Sequence, residues 1–247
     1  MGDANLLSQE LKEKVVYNFR ANDIKNNGEG APLTPIYHKL LINKFKINNP
    51  TLILNIGGIS NYTYCFNDTL AAKDIGPGNV LMDEYLKKTK GIDYDKNGDI
   101  ASSGNINKDI INQFYEHEFY NVQQKHSFDR NEFDFSFVKG LGFEDALATL
   151  TYFTALVISQ NIKTNFNNEI EIILCGGGRR NLVLVNHMRE LLKYKIKLID
   201  EFSVDGDFIE SQAFAFLSVR SFLKKNISFP ETTGVKSPST GGDCIDY

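Results

Sequence analysis

Residues 51–76, TLILNIGGISNYTYCFNDTLAAKDIG, decide the fold class, because three strand-like segments follow one another with short turns between them. The segments are TLILNIGG at 51–58, YTYCF at 62–66 and LAAKDIG at 70–76. Each has the length and the β-branched or aromatic content typical of a strand. Connections this short join antiparallel neighbours. The stretch therefore predicts an antiparallel meander.

Helical periodicity alternates with apolar runs on both sides of this meander. Asn79 and Asn181 are predicted as N-caps, and Gly91 as a C-terminal stop. The alternation predicts an α/β fold in which helices pack on a mixed sheet. The predicted helices cover 6–16, 36–44, 80–89, 108–117, 143–164, 181–192 and 207–223, and the later strands cover 169–175 and 195–200.

The overall composition is that of a globular protein, and the polar N-terminal residues lead us to expect that it stays in the cytoplasm. The chain has 247 residues, 42% hydrophobic and 23% charged, with a net charge of -4. A chain of this charge has no general attraction for nucleic acid or anionic lipid, so neither is predicted as a partner. No apolar run is long enough to span a bilayer, and residues 1–12 lack the pattern of a secretory signal.

The cysteines and histidines have spacings that predict neither a disulfide framework nor a metal site. Three widely separated cysteines predict reduced thiols, with Cys175 buried as a small apolar residue. The histidines fall at no ligand-like spacing, so no protein-bound metal is predicted and all four are interpreted as surface or loop residues. These residues are Cys65, Cys175 and Cys244, and His38, His117, His126 and His187.

Gly57 and Gly58 follow the first strand of the meander, within NIGGISN at 55–61. Paired glycines let backbone N–H groups approach a phosphate without an intervening side chain. Alone, the pair is more typical of a plain hairpin turn. The sequence contains no G-x-x-x-x-G-K-[ST] motif, so a P-loop is excluded.

Asp74 precedes Gly76 in DIGPGN, between a predicted strand and a predicted helix. A carboxylate there can act as the general base that a phosphoryl transfer requires. The alternative is an aspartate that caps a turn. Asp83, one turn into the helix, either assists or interacts favourably with the helix dipole.

Gly176, Gly177 and Gly178 join a buried strand to a helix in CGGGRRN at 175–181. Three glycines cost chain entropy on folding, which favours a functional bend where a phosphate or a flat ring lies against bare backbone. In the ESQAFAFL segment at 210–217, Glu210 opens a helix, where an acidic residue usually complements the dipole.

Together these motifs resemble the anhydro-N-acetylmuramic acid kinase family, within the sugar kinase, heat-shock protein and actin superfamily. The resemblance covers nearly the whole chain. It runs through NDI at 22–24, GEGAPLTP at 28–35, NIGGISN at 55–61, DIGPGNVLMD at 74–83, YDKNGDIASSG at 94–104, KHSFDRNEF at 125–133, ALATLTYFTA at 146–155, CGGGRRN at 175–181 and ESQAFAFL at 210–217.

The resemblance implies an actin-like ATPase (ribonuclease H-like) fold with a mixed five-stranded sheet, ATP and Mg²⁺ as cofactors, and a homodimer. It makes Asp74 the catalytic base that activates water, which opens the 1,6-anhydro ring while O6 accepts the γ-phosphate. The implied ATP-binding residues are Gly57, Gly58, Asn61, Gly76, Gly176, Gly177, Gly178 and Asn181, and the implied sugar-binding residues are Glu29, Gly30, Asp83 and Glu210.

The family pattern also implies a domain division and an incomplete first domain. Residues 1–50 are interpreted as the remnant of a sugar-side domain, 51–230 as the second ATPase domain and 231–247 as a loosely ordered tail. The family's first phosphate turn, of the G-T-S-x-D-G type, has no counterpart upstream of Leu6, and Glu29 replaces an expected Gln. The chain is therefore expected to phosphorylate poorly or not at all.

Two other interpretations of the sequence stay open. One is a nucleotide-binding or dimer-forming fragment without turnover. The other is an acetate-type or hexose-type kinase that acts on a different substrate, since the superfamily shares its ATP site more widely than its sugar pocket.

Overall fold

The computed structural model describes residues 2–114 and 128–247, and the chain divides into two compact units. Unit 1 comprises Met1–Asn48, Thr63–Ala72 and Phe208–Tyr247, and unit 2 comprises Asn49–Tyr62 and Lys73–Asp207. In chain order the elements are α1 (Ala4–Leu11), β1 (Val15–Tyr17), α2 (Ala21–Lys25), α3 (Pro35–Lys44), β2 (Thr51–Ile56), β3 (Ile59–Phe66), β4 (Thr69–Pro77), α4 (Val80–Lys90), α5 (Phe143–Asn165), β5 (Glu171–Cys175), α6 (Leu182–Leu191), β6 (Lys195–Leu198), α7 (Ile209–Phe222), α8 (Pro230–Thr233) and β7 (Asp243–Ile245).

Strands β2 to β6 form one five-stranded sheet in the order β4-β3-β2-β5-β6. β5 runs parallel to both β2 and β6, with Thr51 opposite Glu171 and Glu171 opposite Lys195. Two-residue connections follow β2 and β3, which makes these strands successive antiparallel hairpins. A mixed sheet in this order has the ribonuclease H-like arrangement, and it confirms the predicted fold class.

The middle of the sheet in unit 2 is buried on both faces. Ile172, Ile173 and Leu174 of β5 are fully inaccessible to solvent, as a parallel interior strand covered on both faces requires. α5 contacts α4 and α6, and its buried side chains include Leu147 and Leu150. The periodicity that predicts a helix over 143–164 is thus that of a core helix, confirmed almost to the residue.

Unit 1 has a small antiparallel pair in which β1 is hydrogen bonded to β7, with Val15 opposite Ile245. An isolated bridge joins Ser228 to Ser239. The prediction of a loosely ordered C-terminal segment is therefore wrong for the residues that make these pairings. Pairing between sequence-distant segments leaves no short-range signal, which is why it could not be predicted.

The predicted helix over 6–16 is also wrong in its second half. α1 ends at Leu11 because Lys12 adopts a left-handed conformation, with φ of 53°, and its N–H donates to the carbonyl oxygen of Ser8. Asp3 caps the start of this helix by accepting from two backbone N–H groups. Of the predicted helix over 108–117, residues 108–114 are helical and the remainder lies outside the described residues.

The histidines and cysteines differ in how well their burial was predicted. His38 is buried and His187 is half-buried, so the interpretation of these two as surface residues is wrong. His117 and His126 lie outside the described residues. Cys175 is buried, as predicted, and Cys65, Cys175 and Cys244 are all unpaired thiols. Within residues 2–114 and 128–247, no helix is long and apolar enough to cross a membrane.

Candidate functional site

The turn after β2 is hydrogen bonded to the turn that leads from β4 into α4. Gly57 accepts from the N–H of Asn79 at 2.7 Å, and Gly58 accepts from Gly78 and Val80 at 2.8 and 3.1 Å. A Cβ atom on Gly78 would lie 2.2 Å from the carbonyl oxygen of Gly57, a distance that no side chain tolerates. The two turns are therefore packed backbone against backbone.

Asn79 links this pair of turns to the end of β2, which differs from its predicted role. Its own backbone is helical, with φ of -76° and ψ of -12°, and its side chain caps no N–H group of α4. Instead its Nδ2 lies 3.5 Å from the carbonyl oxygen of Ile56. Its side chain also borders the third glycine bend, because a Cβ on Gly178 would lie 3.1 Å from Asn79 Oδ1.

The bend at 176–178 packs against the same strand end. Gly176 has φ of +77°, and a Cβ there would lie 2.4 Å from Asn55 Oδ1 and 2.7 Å from the carbonyl oxygen of Ile56. A Cβ on Gly178 would meet the Ile56 side chain at 2.2 Å. The glycine turns at 57–58, 76–78 and 176–178, separated along the chain, thus meet around Ile56 and Asn79.

Asn181 ends this bend and caps α6, as predicted. Its Oδ1 accepts from the N–H of Leu184 at 3.0 Å, and its side chain is buried. The close approach of Gly98, where a Cβ would lie 2.4 Å from Asn181 Oδ1, packs the segment after α4 against this cap. The start of α6 and the glycine bend are consequently fixed together.

Asp74 lies on β4 two positions before Gly76, at the end of the strand that leads into the turns. The residue is half-buried, and its Oδ2 accepts from the backbone N–H of Phe128 at 3.2 Å. Gly76 has φ of +129°, a conformation that favours glycine. Asp83 in the first turn of α4 and Asn61 on β3 are also half-buried. Unit 2 therefore contains Asp74, Asp83 and every glycine predicted to bind phosphate.

Sequence reasoning missed Arg179, the residue that follows the glycine bend. Its side chain is 2% exposed and forms a two-pronged ion pair with Asp200, with N–O distances of 2.7 and 3.0 Å. Hydrogen bonding from Arg179 lowers the pKa of Asp200 below its ordinary value. Its partners lie in an acidic stretch at 200–207 that has no recognisable motif. The opposite charges of this stretch and of Arg179 were the one feature of the sequence that could have indicated the pairing.

Comparison with known proteins decides the family. Residues 1–246 match the family described as anhydro-N-acetylmuramic acid kinase. The chain belongs to the anhydro-N-acetylmuramic acid kinase family. It is 53% identical to the anhydro-N-acetylmuramic acid kinase of Pelagibacter ubique, 39% to that of Zymomonas mobilis and 37% to that of Paramagnetospirillum magneticum.

Those alignments cover 98% of this chain but only 67%, 66% and 69% of the three relatives. The chain thus spans about two thirds of the length of the kinases that it matches. Similarity to solved structures is remote. An activator of the 2-hydroxyisocaproyl-CoA dehydratase from Clostridium difficile is 19% identical over 74% of this chain and 66% of that one, with a TM-score of 0.43. The family assignment therefore depends on the sequence relatives.

The residues that the family pattern implies for the sugar lie in unit 1, apart from Asp83. Glu29 is exposed, Gly30 is buried with φ of +74°, and Glu210 is exposed in the first turn of α7. The loop at 28–30 is held from beneath by the buried side chain of Asp23. The loop is consequently fixed by a buried carboxylate although it lies outside any helix or strand.

Asp23 holds this loop through both carboxylate oxygens. Its Oδ2 accepts from the N–H of Gly30 at 2.7 Å, and its Oδ1 accepts from the hydroxyl of Thr233 at 2.6 Å. The N–H of Glu29 donates to the carbonyl oxygen of Thr233 at 2.8 Å. A Cβ on Gly28 would lie 2.2 Å from Asp23 Oδ2, so glycine is required there. The carboxylate of Glu29 is thereby presented to solvent.

Proposed function

We propose that this chain is an ATP-dependent kinase that hydrolyses the 1,6-anhydro ring of anhydro-N-acetylmuramic acid and phosphorylates O6. The observation that carries the proposal is the meeting of three sequence-distant glycine turns around Ile56 and Asn79. Such a junction offers bare backbone on several sides, which suits the phosphates of a nucleotide. Membership of the family supplies the choice of sugar.

The backbone groups that line this junction suit ATP. The backbone N–H groups of Gly57, Gly58 and Gly76 contact the phosphates, with Asn61 nearby on β3, and the bend at 176–178 lies against the adenosine. The N–H of Gly78 already donates to the carbonyl oxygen of Gly58 and so holds the two turns together. Residues with a Cβ could not form these turns, because Gly78, Gly176 and Gly178 already touch neighbouring backbone or side chains. The close packing fixes the backbone donors in place before the nucleotide binds.

Mg²⁺ is the expected companion of ATP, and it neutralises the charge on the transferring phosphate. Among the described residues no group of three or more His, Cys, Asp or Glu side chains could hold a metal ion. Mg²⁺ binds oxygen ligands and keeps several waters, so phosphate oxygens and water would hold most of its coordination sphere, and the carboxylates of unit 2 that could face it are Asp74 and Asp83.

Asp74 acts as the general base in this proposal. It removes a proton from a water molecule whose oxygen forms a bond to C1 of the sugar. The C1–O6 bond breaks, O6 forms a bond to the γ-phosphorus, and ADP leaves with the electron pair of the broken phosphoanhydride bond. The products are N-acetylmuramic acid 6-phosphate and ADP. Glu29, Gly30, Asp83 and Glu210 bind the sugar.

A nucleotide-binding chain without turnover is the second candidate. It is worth testing because the chain spans about two thirds of the length of its relatives.

The proposal also includes activity in the cytoplasm as a homodimer. Light scattering of the purified chain measures the oligomeric state. A panel of hexoses and acetate in the same kinase assay distinguishes the amino sugar from other superfamily substrates.

The test is ADP release with anhydro-N-acetylmuramic acid, measured for the wild type, Asp74→Asn and Asp93→Asn. Asp93 is exposed and lies in the loop after α4, so its variant controls for loss of a carboxylate. Asp74→Asn should bind ADP with unchanged affinity and lose sugar-dependent turnover, while Asp93→Asn keeps both. ADP binding without turnover by the wild type would favour the second candidate. Equal sugar-dependent turnover by Asp74→Asn and the wild type would contradict the assignment of the base.

A further inference from the structure

Arg179 is more deeply buried than its charged partners, and all of them lie in unit 2. Its Nε and Nη2 bind the two oxygens of Asp200, and its Nη1 donates to Asp207 at 2.8 Å. Asp205 lies 3.8 Å from Nη2. These three carboxylates are between 38% and 54% exposed, whereas the arginine side chain is 2% exposed. The guanidinium therefore lies beneath a partly solvated rim of acids.

The same guanidinium is bound to the glycine bend. Arg179 Nη1 donates to the carbonyl oxygen of Gly176 at 3.0 Å, on the residue whose Cβ position is closed off by Asn55 and Ile56. The carbonyl of Gly176 is thus held by Arg179 while its Cα is held by the end of β2. A planar fork with five donors can make all these bonds at once, which a lysine ammonium cannot.

The segment at 200–207 packs tightly against the side chain of Arg179. A Cβ on Gly206 would lie 2.3 Å from Arg179 Nε and 2.4 Å from its Cζ. The N–H of Gly206 also lies 3.5 Å from Asp200 Oδ1. Two segments that are separate along the chain, 176–178 and 200–207, consequently share one buried cation.

We propose that Arg179 is a positioning residue for nucleotide binding, which makes the 176–178 bend and the 200–207 segment a single rigid edge of the ATP site. The inference rests on the proposed function, because it takes the bend to be where the nucleotide lies. Arg179 itself faces Gly176 and the acids, so it acts on the ligand through the bend. Neighbouring Arg180 is 62% exposed, and within the part of the chain that the structure describes its ion pair is with Asp207 and it makes no bond to the bend.

The experiment measures ADP affinity by calorimetry at a temperature well below unfolding, for the wild type, Arg179→Lys and the matched control Arg180→Lys. Arg179→Lys keeps the charge but loses the fork, and its Kd for ADP should rise on the order of tenfold, because the 176–178 bend is no longer held in its binding geometry. Arg180→Lys should stay within about twofold of wild type. In turnover, KM for ATP should rise with Arg179→Lys while kcat is kept.

Asp200→Asn supplies the second variant if Arg179→Lys fails to fold, because Asp200 is 44% exposed and its replacement leaves the arginine with Asp207. It should also raise the Kd for ADP. A folded variant of either kind with wild-type ADP affinity would overturn the inference and leave the proposed function intact. A wild-type chain that binds no ADP would overturn both.

Discussion

The backbone N–H of Asn79 donates to the carbonyl oxygen of Gly57 at 2.7 Å, so the start of α4 is tied to the turn after β2. Neither residue uses its side chain for this contact. The positions of Asp74 and of the 57–58 turn relative to each other are therefore set by backbone packing, which surface substitutions cannot disturb. A catalytic base and a phosphate-binding turn need this kind of fixed separation.

Gly78→Ala should destabilise unit 2 strongly. The added methyl group would lie 2.2 Å from the carbonyl oxygen of Gly57, so the two turns must separate. A loss of up to about 3 kcal/mol in the free energy of unfolding is expected from overpacking against rigid backbone. Urea denaturation measures it. Gly57→Ala is the control, because a Cβ there would meet its nearest neighbour, the carbonyl oxygen of Ile59, at 3.5 Å, an ordinary van der Waals contact.

Gly177→Ala should separate nucleotide binding from folding. Gly177 is exposed, and a Cβ there would meet its nearest neighbour, Asn79 Nδ2, at 3.7 Å. The melting temperature should stay close to that of the wild type, while the Kd for ADP rises because the methyl group occupies the surface proposed for the adenosine. Thermal unfolding and calorimetry provide the two measurements. Unchanged ADP affinity would remove Gly177 from the nucleotide site.

Thr233→Val should weaken unit 1 by about 1–3 kcal/mol, because the buried Oδ1 of Asp23 loses its hydroxyl donor. The matched control is Thr232→Val, since the hydroxyl of Thr232 donates to the nearby carbonyl oxygen of Phe229 at 3.0 Å and not to a buried carboxylate. Chemical denaturation compares the two variants. In turnover, Thr233→Val should raise KM for the sugar more than KM for ATP, because the loop at 28–30 depends on Asp23. Equal stability of the two variants would contradict this role.

The stability of the protein should fall as the pH is lowered from 7 towards 4 because of His38. Burial lowers the pKa of His38 to about 4 from its ordinary 6.5, and its Nδ1 lies 2.7 Å from the hydroxyl oxygen of Thr63. Between these pH values the unfolded chain binds a proton that the folded chain does not, so the free energy of unfolding rises with pH. The difference amounts to about 3 kcal/mol.

His38→Gln removes this titration, so urea midpoints between pH 4 and 7 should vary less for the variant than for the wild type. Thr63→Val keeps the histidine and should lower stability at every pH without flattening the dependence. Identical pH profiles for His38→Gln and the wild type would show that His38 makes no such contribution.

Sequence patterns predicted the elements of unit 2 better than those of unit 1. The bounds of α5 and the capping of α6 by Asn181 follow from local periodicity and local hydrogen bonding. By contrast, β1 pairs with β7 from the other end of the chain, and its pairing has no local signal. For the same reason the burial and ion pairs of Arg179 were not predicted, since its acidic partners become neighbours only after folding.

The candidate site shows the same division. Glycine spacing identified the turns at 57–58, 76–78 and 176–178 but could not predict which atoms they contact. Asn79 was predicted to cap α4, and the structure instead directs its side chain to Ile56 and the 176–178 bend. A helical backbone at the N-cap position changes where the side chain points, and residue type alone does not determine that backbone.

The most direct test of the account is a crystal structure of this chain with a non-hydrolysable ATP analogue. The account predicts phosphate oxygens within hydrogen-bonding distance of the backbone N–H groups of Gly57, Gly58 and Gly76, the adenosine against residues 176–178, and the Asp74 carboxylate facing the γ-phosphate. A nucleotide bound away from these turns, or an Asp74 side chain directed away from the γ-phosphate, would contradict it.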